Sequence, residues 1–337
     1  MQRLISIIVF IMPFCSCNSR AEYITLGGLA LGTSYKVVYS PPADFSMSHE
    51  SYPDIPAMVL QAINDIDSSL SVYNSTSIIS KVNRNEPVEV DTLFIQVFER
   101  ATEIYHLTDG AFDMAAAPFF DLWGFGYKAR EQVTQEALDS IAQFAGMDKI
   151  WLSNGKIEKV DPRVSLNANA IAKGYCSDLI ARRLKSVGVK NLMVEVGGEI
   201  YCEGKNPQRK KWRIGIDRPE LGNFIPGMSL SSTLLISGKG IATSGNYRNY
   251  YEEDGQIIGH TIDPSSGKPV QHSLLSATVI ASDCMSADAL ATSFMVMGVE
   301  KTQQFLYNHP EIDAYLIYKN AAGSLQSFAT KNVKFYQ

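Results

Sequence analysis

The stretch "MVEVGGEI", residues 193–200, decides how this chain is read. Leu192 to Val196 has the look of a strand, and the glycine pair that follows invites comparison with a nucleotide-binding loop. The GxGxxG spacing is missing, however, and no helical pattern clearly follows, so a Rossmann site is disfavoured. Working outward, helical periodicity is clearest over Ile55 to Leu70, Leu93 to Leu107, Thr134 to Phe144, Ala170 to Val187 and Met285 to Met297. Strand-like runs cover Tyr35 to Tyr39, Leu192 to Val196, Trp212 to Ile216, Ser229 to Ile236, Ile257 to Ile262, Ser276 to Ala281 and Ala314 to Tyr318. Helices dominate the first half and short strands with turn signals the second, which is not the alternation of a doubly wound sheet. The order predicts an α+β fold with a largely antiparallel sheet and packed helices. No repeat recurs at a period of about 20 to 50 residues, so residues 17–337 read as one domain.

At 337 residues and 45% hydrophobic, the chain can bury a sizeable core. A net charge of -5, with no basic run interleaved with aromatics, argues against nucleic acid as a partner. The N-terminus "MQRLISIIVFIMPFCSCN" holds one Arg, an apolar run from Leu4 to Phe14 and then small residues and cysteine. A run this short, broken by Pro13, reads as a signal peptide over residues 1–16 and not as a spanning helix. Ser16 directly before Cys17 resembles a bacterial lipoprotein box, so Cys17 is the expected lipidation site. Cys15 and an uncleaved anchor are the alternatives. Each version places the folded part in the cell envelope, tethered to a membrane and facing the periplasm or exterior. Cys176, Cys202 and Cys284 make neither a disulfide framework nor a CxxC metal site and are expected in the core.

Three stretches carry chemistry. "SADALATSFMVMG", residues 286–298, is an apolar helix that sets Asp288 and Thr292 on one face. Two readings stand: helix capping by Asp283 or Ser286 with Asp288 serving the dipole and Thr292 back-bonding, or a hard, oxygen-liganded cation. "LNANAIAKGYCSDLIARRL", residues 166–184, leads from Asn167 and Asn169 into a helix with Lys173 and Gly174, which suits a phosphate or a surface Lys beside a packing Gly. "HLTDGAFDMAAAPFFDLWGFG", residues 106–126, clusters aromatics near a turn, as a ring-stacking wall or simply as core. Further on, His260 and Asp263 fall in and beside the turn at Pro264 to Gly267, as site groups or as turn formers.

Taken in order, these stretches closely resemble the ApbE family, the FAD:protein FMN transferases. The resemblance runs from "LGTSY" (31–35) through "LSVYNSTSIISKVN" (70–83), "TDGAFD" (108–113), "LWGFG" (122–126), "AIAKGYCSD" (170–178) and "VEVGGEI" (194–200). It continues in "ATSGNYRNYYEEDG" (242–255), "HTIDPSSGKPV" (260–270) and "ADALATSFMVMG" (287–298). The resemblance implies Mg2+ on Asp288 and Thr292, with a third ligand from Ala170, which can offer only its backbone carbonyl. It implies FAD contacts at Leu31, Tyr73, Ala111, Phe112, Asp113, Asn167, Lys173 and Ile262. Leu31 stands where the family usually has Met, a volume-conserving swap. Asn167 stands where many relatives have Asp, which removes a negative charge near the nucleotide and metal.

The implied reaction moves the FMN half of FAD, as substrate, to a Ser or Thr hydroxyl of an acceptor flavoprotein, with AMP leaving. Mg2+ and Lys173 would neutralise developing charge, and a base is expected for the hydroxyl, with His260 and Asp263 as candidates. Two other readings share these residues: a Mg2+-dependent FAD pyrophosphatase, and a lipid-anchored protein that binds and stores FAD. For the anchor itself, Cys17→Ser should leave the chain soluble or unprocessed on membrane fractionation; full partition of a processed Cys17→Ser product into membranes would remove the lipid anchor.

Overall fold

The structure is a computed structural model that describes residues 23–42, 53–126, 132–220, 223, 227–246, 250–253 and 256–336. Cys17 and the expected signal peptide lie outside the described residues.

The chain opens with an antiparallel hairpin of β1 (Ile24–Ala30) and β2 (Thr33–Tyr39). Three helices follow: α1 (Ile55–Leu70), α2 (Ile78–Asn83) and α3 (Thr92–Leu107). Each is started by a side-chain cap, Asp54 on Ala57 N, Ser77 on Ser80 N and Asp91 on Phe94 N. A short 3-10 turn at Met114–Ala116 leads into α4 (Ala117–Leu122), then α5 (Gln135–Ala142) and the hairpin β3 (Ile150–Ser153) and β4 (Lys156–Lys159). Next come α6 (Ala172–Ser186), β5 (Leu192–Val196) and β6 (Glu199–Glu203). A second hairpin, β7 (Trp212–Asp217) and β8 (Leu230–Ile236), precedes β9 (Lys239–Gly245). Two small ribbons follow, β10 (Tyr250–Glu253) with β11 (Gln256–Gly259) and β12 (Ile262–Asp263) with β13 (Lys268–Pro269). The chain closes with β14 (Leu274–Ala281), α7 (Cys284–Asn308), β15 (Asp313–Lys319) and β16 (Leu325–Ala329).

Eight strands form one sheet in the order β1-β2-β5-β6-β9-β14-β15-β16, and every pairing in it is antiparallel. This is the α+β, antiparallel architecture that the element order predicts. Strand periodicity explains the layers. Val37, Val194, Ala277, Val279 and Leu316 enter the core shared with the helices. Val38, Ile200, Ile280, Tyr315 and Ile317 point the other way, onto Trp212, Ile214 and Leu234 of the β7–β8 hairpin. The three described cysteines are buried and free, as small apolar residues.

The "VGGE" stretch is a tight hairpin: Val196 pairs with Glu199 and the two glycines between them have φ of 68° and 104°. Left-handed backbone at both loop positions is what a two-residue hairpin demands, and glycine adopts it without a Cβ clash. The glycine pair is therefore a strand reversal and not a phosphate loop.

Two elements differ from the periodicity. The run Ile257 to Ile262 is broken at His260 and Thr261, because the backbone leaves β10 for a new partner: Thr261 O accepts from Val270 N at 3.0 Å, and Thr261 Oγ1 donates to Asn246 at 2.6 Å. The helix ending at Met297 in the sequence reading is followed by a second helical piece to Asn308, with Gly298 non-helical (φ 76°) between them.

The first turn of α7 is held from two sides. Asp283 caps it by accepting from Ser286 N at 2.7 Å, while Asp178 of α6 accepts from Cys284 N at 2.9 Å and Met285 N at 2.8 Å. Two carboxylates thus satisfy three of the N–H groups a helix start leaves open. Burial pushes the Asp178 carboxyl up to about 7, although the two N–H donors favour its charged form. A carboxyl raised above its unfolded value of about 4 adds stability that is full below that pH and lost as pH rises through about 7. In urea unfolding between about pH 4 and 8, the stability advantage of the native chain over Asp178→Asn, which carries no such titration, should shrink as pH rises across that window.

Candidate active site

A cleft of about 390 Å³ opens beside the α6–α7 crossing, within the volume range of small-molecule sites. Tyr73, Ala111, Phe112, Asp113, Asn167, Ala170, Lys173, His260, Ile262, Asp288 and Thr292 all line it, so residues spread over most of the chain meet at one place. Leu31 and Asp263 do not. Leu31 sits at the tip of the β1–β2 hairpin with φ 52°, two residues from Thr33, which approaches Gly197 beside the Lys173 stem. Asp263 lines a neighbouring groove, and its carboxylate accepts from Ser265 N at 2.9 Å, Ser265 Oγ at 2.7 Å and Ser266 Oγ at 3.1 Å.

The polar end of the cleft is built by close helix packing. A β-carbon at Gly174 would collide with the Cys284 carbonyl and lie 2.8 Å from the Asp288 Cβ. Because that space is empty, α7 comes near enough for Asp288 Oδ2 to accept from Gly174 N at 3.0 Å. Gly174 stands in the first turn of α6, where an N–H has no partner within the helix, and Asp288 supplies one. Ala170 precedes the helix, so its carbonyl lies outside the ladder. One turn further along α7, Thr292 Oγ1 lies 3.3 Å from Ser244 Oγ on β9. Of the two cap candidates it is Asp283 that caps α7, while Asp288 and Thr292 face the cleft together.

Lys173 Nζ donates to Asn169 O at 2.9 Å and lies 3.5 Å from Glu199 Oε1 and 3.8 Å from Asp288 Oδ2. Burial pushes the Asp288 carboxyl upward against Lys173 and the Gly174 N–H, and it pushes Glu199 upward against Lys173. Burial also disfavours the Lys173 charge, but Asp288 and Glu199 outweigh it and hold the ammonium above its ordinary value. Fully ionised, the trio carries a net charge of -1, from two carboxylates and one ammonium. Among the described residues no group of three or more His, Cys, Asp or Glu is arranged to hold a metal. A cation here would rest on Asp288 with neutral oxygens from Thr292 and Ala170. One carboxylate, few protein ligands and room for substrate phosphates suit Mg2+.

The opposite walls are aromatic. Tyr73 is 65% exposed at the rim and accepts from Asn169 Nδ2 at 3.2 Å, while Phe120 and Phe125 line the interior. Phe125 meets the His260 ring edge to face, with centroids 6.3 Å apart. Asp113 also braces the local backbone, accepting from Ala115 N at 2.7 Å and Met147 N at 3.2 Å. Burial raises its carboxyl to about 6.

The sequence profile of the ApbE family matches residues 31–316. This chain belongs to the ApbE family. The FAD:protein FMN transferase of Haemophilus influenzae is 33% identical over a 346-residue alignment that covers 98% of this chain and 96% of that protein. That of Vibrio cholerae is 35% identical over 296 residues, 86% of each chain. Among solved structures, the flavin transferase ApbE from Vibrio cholerae superposes with a TM-score of 0.82 at 31% identity, covering 92% of this chain and 98% of that one. The apo flavinyl transferase ApbE of Pseudomonas stutzeri gives 0.80 at 29% identity, covering 92% and 95%.

In this ApbE chain the cleft also contains Glu199, Thr243, Ser244 and Thr261, to which the sequence reading assigned no role, and Asn169, which it placed at the start of the Lys173 helix. Glu199 had a signal, since it closes the "VEVGGE" stretch, but the carboxylate reads as an ordinary strand residue until the start of β6 is seen to meet Lys173. For Asp113, Asp113→Ala should lower unfolding free energy by about 1–3 kcal/mol by orphaning two N–H groups, with partial recovery in Asp113→Asn. Equal stability of Asp113→Ala and the native chain in urea would show that the two bonds contribute nothing.

Proposed function

We propose that this chain is an FAD:protein FMN transferase that uses Mg2+ to attach the FMN half of FAD to a Ser or Thr hydroxyl of a separate flavoprotein, releasing AMP. The observation that carries the proposal is the convergence of Asp288, Thr292, Ala170 and Lys173 at one end of an aromatic-walled cleft, a carboxylate, a hydroxyl, a backbone segment outside the helix ladder and an ammonium. Membership of a family whose named members include FAD:protein FMN transferases supports the same reading.

Asp288, Thr292 and the Ala170 carbonyl would hold the ion, which when bound supplies positive charge against the diphosphate oxygens. Lys173, at the same end of the cleft, would be a hydrogen-bond donor to the same oxygens. Tyr73, Phe120 and Phe125 offer ring faces and edges to the flavin, and Asn167 presents a neutral amide in place of a carboxylate. The acceptor hydroxyl oxygen forms a bond to the phosphorus of the FMN half as the bond from that phosphorus to the AMP oxygen breaks. AMP leaves with the bridging oxygen, and the hydroxyl proton passes to a base. His260 is the better base, because it lines the cleft whereas the Asp263 carboxylate is taken up by Ser265 and Ser266. A lipid anchor at Cys17 belongs to the same proposal, holding the enzyme on a membrane where it meets acceptors outside the cytoplasm.

Incubation with FAD and Mg2+, with and without an acceptor flavoprotein, tests the reaction. Acceptor-bound FMN is expected; free FMN would make water the acceptor, and unchanged FAD would leave a storage protein. Asp288→Ala should abolish transfer, and Thr292→Val should raise the Mg2+ concentration needed for it. Normal Mg2+ dependence in both variants would overturn the metal assignment.

A further inference from the structure

Glu199 is the buried charge to which the proposed reaction gives no part. Its side chain is 8% exposed, Oε1 faces Lys173 Nζ at 3.5 Å, and Oε2 has no hydrogen-bond partner among the described residues. The hairpin turn that ends at Glu199 is shaped around this contact. A β-carbon at Gly197 would stand 3.0 Å from Lys173 Cδ and 3.2 Å from Glu199 Oε2, so any other residue there would press on both members of the pair. Lys173 reaches Asp288 as well, at 3.8 Å, and the Asp288 atom it faces is Oδ2, which already accepts from Gly174 N. Neither contact uses Oδ1.

We infer that Glu199 is the counter-ion of Lys173 and not a ligand of the cation: by neutralising the ammonium it leaves the charge of Asp288 to the divalent ion. The inference rests on the Mg2+ reading above. The geometry divides the trio in this way because the Lys173 ammonium contacts both carboxylates and is nearer to Glu199. Thr292 and Ser244, the neutral oxygens beside Asp288, come from α7 and β9. Without Glu199, Lys173 would be left with Asp288 as its carboxylate among the described residues, and the ammonium would compete with the cation for it. Glu199 is thus a positioning residue, acting through Lys173.

The test is Mg2+ binding to the full chain without FAD, by titration calorimetry and by the Mg2+-induced rise in melting temperature. Loss of binding in Asp288→Ala checks the metal reading separately; binding unchanged there would fail that reading and not reach Glu199. Given that check, Glu199→Gln should weaken Mg2+ on the order of tenfold, as expected for an unneutralised charge within a few ångströms. Removing the competitor as well, in Glu199→Gln with Lys173→Met, should restore affinity to near the native value. A double variant as weak as Glu199→Gln would make Glu199 a ligand, and an unchanged Glu199→Gln would make it irrelevant; each overturns the inference. Circular dichroism of the metal-free variants checks folding. If Glu199→Gln does not fold, Lys173→Met carries the test alone, since it should bind Mg2+ more tightly than the native chain, and weaker binding would overturn the inference.

Discussion

The first turn of α7 is wedged between two glycines, and the geometry of the site depends on that wedge. On one side Gly174 of α6 has no room for a β-carbon against the Cys284 carbonyl. On the other, Gly240 of β9 has none against Cys284 N and Cα. With α7 pressed against both α6 and the sheet, Asp288 reaches the Gly174 N–H and the Lys173 ammonium, and Thr292 reaches Ser244 on β9. A methyl group at either glycine would have to push the helix outward, because packed backbones do not yield as flexible side chains do. Asp178 fixes the same contact in the other dimension by bonding the open N–H groups of α7, so α6 and α7 are joined by hydrogen bonds as well as by shape.

Packing this close concentrates charge on largely buried side chains. Two carboxylates and one ammonium share the polar end of the cleft, and burial raises both carboxyls. With both carboxyls ionised, a diphosphate approaching such a site meets net negative charge that Lys173 alone does not offset. The Mg2+ proposal answers that imbalance, and the role inferred for Glu199 follows from it: one carboxylate serves the lysine, the other serves the cation.

The aromatic walls are placed by a separate small core. Phe119 and Leu122 of α4 pack with Leu138 of α5 and Ile262 of β12, away from the main helix–sheet core. Trp123 Nε1 donates to Gly267 O at 2.8 Å, tying this unit to the turn that carries Ile262 and Asp263. The aromatic side of the cleft and its charged side thus rest on different packing units, the first on α4, α5 and β12, the second on α6, α7 and the eight-stranded sheet.

How much of this was legible in the sequence differs element by element. Helices α1, α3 and α6 and strands β5, β7, β14 and β15 follow from local periodicity, because each buries one face and its apolar spacing records which. Strands β1 and β9 do not, since "ITLGGLA" and "KGIATSG" hold glycines and small residues chosen for close approach, which erase the alternation. Resemblance to a family picked out Asp288, Thr292, Lys173 and the aromatic stretch as site residues, and the fold brings those residues to one cleft. Glu199, Ser244 and the bond from Gly174 N to Asp288 were illegible, since their meaning lies in contacts across as many as 114 positions of chain. Periodicity, turn residues and motifs are local, and so the main elements, the α+β class and the family could all be read from the order of amino acids. Asp283 was already a cap candidate beside Ser286, but that Asp288 faces the cleft and that Glu199 pairs with Lys173 emerged only from the folded chain, because those assignments depend on which backbones come close enough to touch.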